Sequence, residues 1–146
     1  MDKKIWMIGL WVLMLGGVKA HAQTRIKWPQ LAEVEYSYVQ QEGQTYWYGT
    51  PTFPEDLKAL EGKEVVITGY ILPLNEISNL YALSAFPFSS CFFCGAAGLE
   101  SVMELHLRKK KKKFAMDAEV TMVGTLRLND VEMELSYILE DARLLD

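Results

Sequence analysis

One strand segment organises this chain: Glu64-Val65-Val66-Ile67-Thr68-Gly69-Tyr70-Ile71-Leu72-Pro73-Leu74, residues 64–74. Its β-branched and apolar residues are typical of a β-strand, and the proline near its end indicates where the strand stops. Gly69 in its middle predicts a bulge or a sharp bend. A strand that bends at a glycine can pair on both sides of a small barrel, so this segment favours a barrel over a flat sheet.

Further segments with strand character follow along the chain. They are residues 79–85, residues 101–107, residues 118–128 with Gly124 inside, and an alternating final strand through Met133, Leu135, Tyr137 and Leu139. A short helix of about two turns is predicted over residues 54–62, which begin with a proline and two acids. We therefore predict a mainly β fold, a small five- to six-stranded OB-like barrel with one short helix. A plain barrel or a sandwich stays open as an alternative.

The N-terminus has the organisation of a secretory signal. A short apolar run follows Met1-Asp2-Lys3-Lys4, and Ala20-His21-Ala22 places small residues at the two positions that a signal peptidase recognises. We expect cleavage before Gln23, which makes residues 1–22 a signal peptide and the mature protein periplasmic or secreted. Residues 23–56 are then a loose, aromatic-rich N-terminal arm, and residues 57–146 form the OB-like barrel domain.

The charge balance excludes one class of function. The full chain carries a formal charge of −4, and loss of the signal peptide removes more lysines than acids. An acidic, exported protein is not expected to bind nucleic acid. No nucleotide cofactor is expected either.

Three segments together resemble domain-of-unknown-function family 3299: residues 60–74, Cys91, and residues 123–127 (Val-Gly-Thr-Leu-Arg). The resemblance covers about residues 57–140 and implies an exported bacterial protein of unestablished activity. Members of that family have a histidine two residues after their cysteine and then a proline run. Phe93 and Cys94-Gly95 occupy those positions here, so a metal role of that histidine does not carry over. The resemblance implies the barrel frame, with Cys91 at its mouth.

Cys91 and Cys94 are the only cysteines, and they are separated by two residues. This spacing suits a small disulfide ring or two corners of a metal site. Haem attachment is rejected because Gly95 stands where a histidine ligand is required. A thioredoxin-like catalyst would need a helix beginning at Cys94 with Cys91 exposed, and no βαβ pattern surrounds the pair.

A metal site would need further ligands, because structural zinc is almost always four-coordinate. The candidates are His106, Glu104 and Glu100 beside Cys91 and Cys94, and the ions are zinc or copper(I). We expect an exported, non-enzymatic binding or accessory protein whose cysteine loop binds a transition metal ion or docks a partner. A periplasmic thiol–disulfide redox protein and a purely structural Cys91–Cys94 disulfide are the alternatives. No Ser-His-acid or paired-acid arrangement supports hydrolysis.

Two surface features point to partners. Phe92 and Phe93 lie between the cysteines and cannot both point inward, which predicts an exposed apolar patch for a periplasmic or membrane-protein partner. The second is a run of cations that must lie in water: Arg108, Lys109, Lys110, Lys111, Lys112 and Lys113. It is interpreted as a solvated hairpin tip, with an anionic membrane surface as the alternative partner.

Overall fold

The computed structural model describes residues 23–40, 47–75, 77–109, 113–131 and 134–145, without the side chains of residues 38–40, 47 and 48. The predicted signal peptide, Lys110 to Lys112 and Met133 lie outside these residues. The elements are β1 (Thr24–Arg25), α1 (Trp28–Leu31), β2 (Glu35–Gln40), β3 (Trp47–Thr52), α2 (Glu55–Lys58), β4 (Glu64–Asn75), β5 (Leu80–Ser84), β6 (Val102–Leu107), β7 (Glu119–Leu128) and β8 (Tyr137–Leu144).

The last five strands close into a barrel. Their order is β4-β5-β6-β8-β7, and β7 pairs again with β4. The β6–β8 pair is parallel and the other four pairs are antiparallel. This order, with the third and fifth barrel strands parallel, is that of an OB-fold. β1 adds a short parallel strand to β4, and β2 and β3 form a separate hairpin. The predicted mainly β, OB-like barrel is confirmed.

Gly69 marks the point where β4 changes partners. β4 pairs with β7 from Glu64 to Tyr70 and with β5 from Tyr70 onward. A Cβ atom at Gly69 would lie 2.5 Å from the carbonyl oxygen of Ser84, so no side chain fits there. Gly124 is the counterpart in β7, where the register shifts and a Cβ atom would lie 2.6 Å from a backbone oxygen of β8. Both glycines therefore serve close strand contacts at bends.

The N-terminal arm contributes to the barrel core and is not loose in its described part. Its buried members, in one cluster with the barrel interior, are Ile26, Leu31, Val34 and Phe53. Tyr137 of β8 donates a hydrogen bond to the carbonyl oxygen of Leu31 at 2.6 Å, and its ring packs edge-on against Phe53. The arm thus covers one end of the barrel.

Two predicted boundaries differ from the structure. α2 has one turn, Glu55–Lys58, and not two, because Gly62 soon reverses the chain in the left-handed region with φ of 71°. β8 begins at Tyr137, whereas the prediction already included Leu135; the predicted start at Met133 lies outside the described residues. The side chain of Asn129 donates to Glu134 and to the carbonyl oxygen of Leu135, and these bonds hold a wider turn ahead of the strand. No helix among the described residues is long and apolar enough to cross a membrane.

Candidate dithiol site

The cysteine loop, residues 85–101 between β5 and β6, lies on the outer wall of the barrel. Strand residues alternate between the two faces, so Ile71 and Leu83 point inward while Leu72 and Ala82 point outward. The connection from β5 to β6 folds over this outer face, and Cys91 completes a small buried cluster with Leu72, Ala82 and Val102, here called the outer cluster. The position implied by the family resemblance, Cys91 at the barrel mouth, is therefore corrected to the outer wall.

A tight turn presents the two cysteines. Cys91 is extended, with φ of −89° and ψ of 178°, and a single 3-10 turn spans Phe92–Cys94. The Cys91 carbonyl accepts hydrogen bonds from the amides of Cys94 and Ala96, both at 3.2 Å. Gly95 then takes φ of 71°, a conformation that glycine adopts without a steric cost. The backbone of the loop is therefore closed by its own hydrogen bonds.

The two thiols converge on one atom. Cys91 Sγ donates to the carbonyl oxygen of Phe88 at 3.1 Å, and Cys94 Sγ donates to the same oxygen at 2.7 Å. Both cysteines are free thiols, but Cys91 is buried and Cys94 is exposed. The pair therefore has one anchored sulfur and one accessible sulfur beside a shared acceptor.

The surroundings keep Cys94 protonated. Desolvation of its sulfur is the largest cause that raises the pKa of Cys94, followed by the neighbouring Cys91 sulfur, and the Asp117 carboxylate adds to the effect. A raised pKa leaves less of the reactive thiolate at neutral pH.

The exposure pattern does not match the thioredoxin-like alternative. That alternative requires Cys91 exposed and a helix beginning at Cys94. In the structure Cys91 is the buried member, and Cys94 is the last residue of a single 3-10 turn. The dithiol therefore lacks the helix N-terminus that lowers a thiol pKa in such catalysts.

The other predicted ligands lie apart from the thiols. His106 Nε2 pairs with Glu104 Oε1 at 2.9 Å on the outer face of β6. The Glu100 carboxylate folds back against Gly98. No group of three or more His, Cys, Asp or Glu side chains is placed as metal ligands within the described residues. The structure thus brings Cys91 and Cys94 together, and it pairs Glu104 with His106.

The two rings between the cysteines differ in exposure. Phe92 packs against the outer cluster, whereas Phe93 is 43% exposed, and the rings meet edge-on at 5.4 Å. Phe86 and Phe88 are also large exposed apolar side chains. The accessible thiol of Cys94 is therefore part of a loop with three exposed aromatic rings.

Asp117 is a site residue that the sequence does not reveal. Its carboxylate Oδ1 accepts the amide hydrogen of Phe88 at 2.7 Å, and so it holds the residue whose carbonyl serves both thiols. Asp117 has φ of 59°, which aspartate tolerates better than most residues. An aspartate between the lysine run and β7 indicates a turn. No local sequence pattern shows that it contacts Phe88, which lies 29 residues earlier.

The chain is an OB-type barrel that carries a dithiol on its outer wall. A solved structure of similar fold is a DUF3299 family protein (domain-of-unknown-function family 3299) from Pseudomonas aeruginosa PAO1. It aligns with a TM-score of 0.50 and 16% identity, over 86% of this chain and 97% of that chain. The predicted resemblance is thus confirmed for the fold. No family model and no curated protein matches this chain.

Proposed function

We propose that this protein is an exported, non-enzymatic accessory module whose Cys91–Cys94 loop binds a soft transition-metal ion, copper(I) in preference to zinc. One observation carries the proposal: both thiols point at a single acceptor, the Phe88 carbonyl oxygen. Side chains that converge on one atom can also converge on one ion. Location outside the cytoplasm is part of the proposal and rests on the signal-like residues 1–22.

The number of donors favours copper(I). Two thiolates satisfy this soft ion, whereas structural zinc almost always takes four ligands. Among the described residues, the thiols have no third His, Cys, Asp or Glu placed with them as a ligand. Zinc would need its remaining ligands from a partner or from water.

The local charges explain why a cation is needed to ionise the pair. The Phe88 carbonyl oxygen stabilises the protonated thiols as an acceptor, and it would lie against two negative sulfurs if both ionised. Separately, desolvation and then the neighbouring Cys91 sulfur raise the pKa of Cys94. A bound cation offsets this repulsion, so binding should release protons and weaken as the pH falls.

The exposures suggest how an ion would be received and passed on. Cys91 is held by the outer cluster, while Cys94 faces solvent. A partner protein could contact Cys94 and the exposed Phe93 together. This arrangement favours a carrier or accessory role over a closed structural metal site.

The test is an anaerobic titration of the reduced mature protein with copper(I), against a coloured copper(I) chelator. We expect one equivalent to bind, and we expect Cys91→Ser and Cys94→Ser each to lose at least about tenfold in affinity. His106→Ala is the matched control, because this exposed residue lies on the same wall and pairs with Glu104. Unchanged binding by the Cys91→Ser/Cys94→Ser double variant would refute the proposal.

A structural disulfide is a second candidate, because the two sulfurs already share an acceptor. It predicts that oxidation stabilises the fold by about 2 kcal/mol and that the reduced form binds no copper. That combined result would replace the metal proposal.

A further inference from the structure

A second candidate site lies where β6 runs into the basic connection to β7. A cleft of about 380 Å³ opens there, with four apolar and three cationic lining residues: Leu107, Arg108, Lys109, Phe114, Ala142, Arg143 and Leu144. An apolar wall beside cations suits a ligand with an anionic group and a hydrocarbon part. The dithiol does not use any of these residues.

The cations of the cleft differ in how far they are neutralised. Arg108 forms a two-pronged ion pair with Asp141, and Arg143 pairs with Glu64 at 2.9 Å. Lys109 is exposed and has no ion-pair partner among the described residues. Lys113, where the described residues resume, is a second exposed lysine, so positive charge is in surplus among the described residues of this connection.

The same connection ends among exposed apolar side chains. Phe114 lines the cleft and packs edge-on against Tyr81 at 5.6 Å. Three residues later Asp117 binds the amide of Phe88. This bond joins two segments of the chain, and each carries an exposed apolar side chain: Met116 is 53% exposed and Phe88 is 43% exposed. Cations therefore stand at one end of the connection and exposed apolar groups at the other.

We propose that the cleft, together with Lys113 and Met116 on the chain that leads to β7, binds anionic phospholipid at a membrane surface. Lys109 and Lys113 would contact the lipid phosphate, while Leu107, Phe114 and Leu144 would contact the start of an acyl chain. Met116 and Phe88 would sit at the boundary between headgroups and acyl chains. A soluble anion would use the charge but leave the apolar wall uncovered, so phospholipid is the better match. This proposal does not require metal binding, although Phe88 also belongs to the dithiol loop.

The test is co-sedimentation of the mature protein with phosphatidylglycerol vesicles and with phosphatidylcholine vesicles. We expect binding to the anionic vesicles only, and a loss of at least about tenfold for Lys109→Glu/Lys113→Glu because each charge is reversed near the surface. Met116→Ser should weaken binding by about threefold or more, because it removes an apolar contact. Equal binding to both vesicle types, or unchanged binding by the charge-reversed variant, would overturn the proposal.

Matched controls separate this surface from the rest of the protein. Lys63→Glu reverses an exposed lysine outside the cleft, and Ile77→Ser removes a side chain that is 97% exposed. Both should bind the vesicles like the wild type. Calorimetry with short-chain phosphatidylglycerol and with inorganic phosphate separates the two sources of a phosphate group. We expect heat only with the lipid, and equal binding of inorganic phosphate would contradict the lipid assignment.

Discussion

The thiols of Cys91 and Cys94 share one hydrogen-bond acceptor, although one sulfur is buried and the other is exposed. The first is held in the outer cluster on the barrel wall, and the second faces solvent at the end of a 3-10 turn. Proximity and unequal access together set the chemistry that the pair can perform.

Unequal access predicts the order of alkylation. In the reduced, folded protein Cys94 should react with iodoacetamide at least about tenfold faster than Cys91, because the reagent needs an exposed sulfur. Its rate at pH 7 should still be below that of an unperturbed thiol, since the pKa of Cys94 is raised above its usual 9.0. Peptide mass mapping of time points measures both rates. Equal labelling, or labelling of Cys91 first, would contradict the described burial.

Asp117 predicts a specific change in that rate. Its negative charge is one of the causes that raise the pKa of Cys94, and its Oδ1 also accepts the Phe88 amide. Asp117→Asn keeps an acceptor and removes the charge, so the pKa of Cys94 should fall and alkylation at pH 8 should speed up. The pH dependence of the alkylation rate measures this. An unchanged or higher pKa would show that Asp117 has no electrostatic effect on the thiol.

The barrel interior predicts the cost of two truncations. Ile67 is 1% exposed in β4 and Leu126 is fully buried in β7, so either alanine variant should lose about 2–5 kcal/mol of unfolding free energy. Urea denaturation measures the loss. Ile77→Ala is the control, because that side chain is 97% exposed and its loss should cost less than about 0.5 kcal/mol. Losses below about 1 kcal/mol at both core positions would mean that the strands are misplaced.

Two ion pairs predict a loss of stability in acid. The hydrogen bond from Arg108 lowers the pKa of Asp141 from 3.8, and the hydrogen bond from Arg143 lowers the pKa of Glu64 from 4.5. Carboxylates with a lowered folded-state pKa stabilise the protein above the unfolded-state value, and this contribution disappears as the pH falls through the folded-state value. Stability should therefore decline below about pH 4.5. Asp141→Asn should decline less steeply in urea titrations between pH 7 and pH 3; an identical slope would contradict the assignment.

Much of the barrel follows from local sequence patterns. The composition of β4 predicts a strand, and glycines within strand segments, Gly69 and Gly124, predict bends. In the structure a side chain at either position would strike a neighbouring strand. The start of β8 does not follow from alternation alone. Asn129 holds a wider turn through contacts with Glu134 and Leu135, and such side-chain contacts are not visible in periodicity.

Of the candidate site, only the pair of cysteines could be predicted from the sequence. The spacing of Cys91 and Cys94 indicates a paired site, but burial of Cys91 depends on Leu72, Ala82 and Val102 from three different strands. The shared acceptor is a backbone carbonyl, a group that every residue carries, so residue types cannot identify it. Long-range packing, not spacing, decides which thiol is accessible.

X-ray absorption at the copper edge, on the copper(I)-loaded protein confirmed as a monomer, tests the central claim most directly. We predict a shell of two sulfur atoms and no imidazole scattering, because the thiols of Cys91 and Cys94 converge on one point and no third ligand is placed with them in the described part of the chain. The His106→Ala variant should give the same spectrum. A shell with nitrogen or oxygen donors in place of either sulfur, or the same spectrum from the Cys91→Ser/Cys94→Ser variant, would contradict the proposed dithiol site.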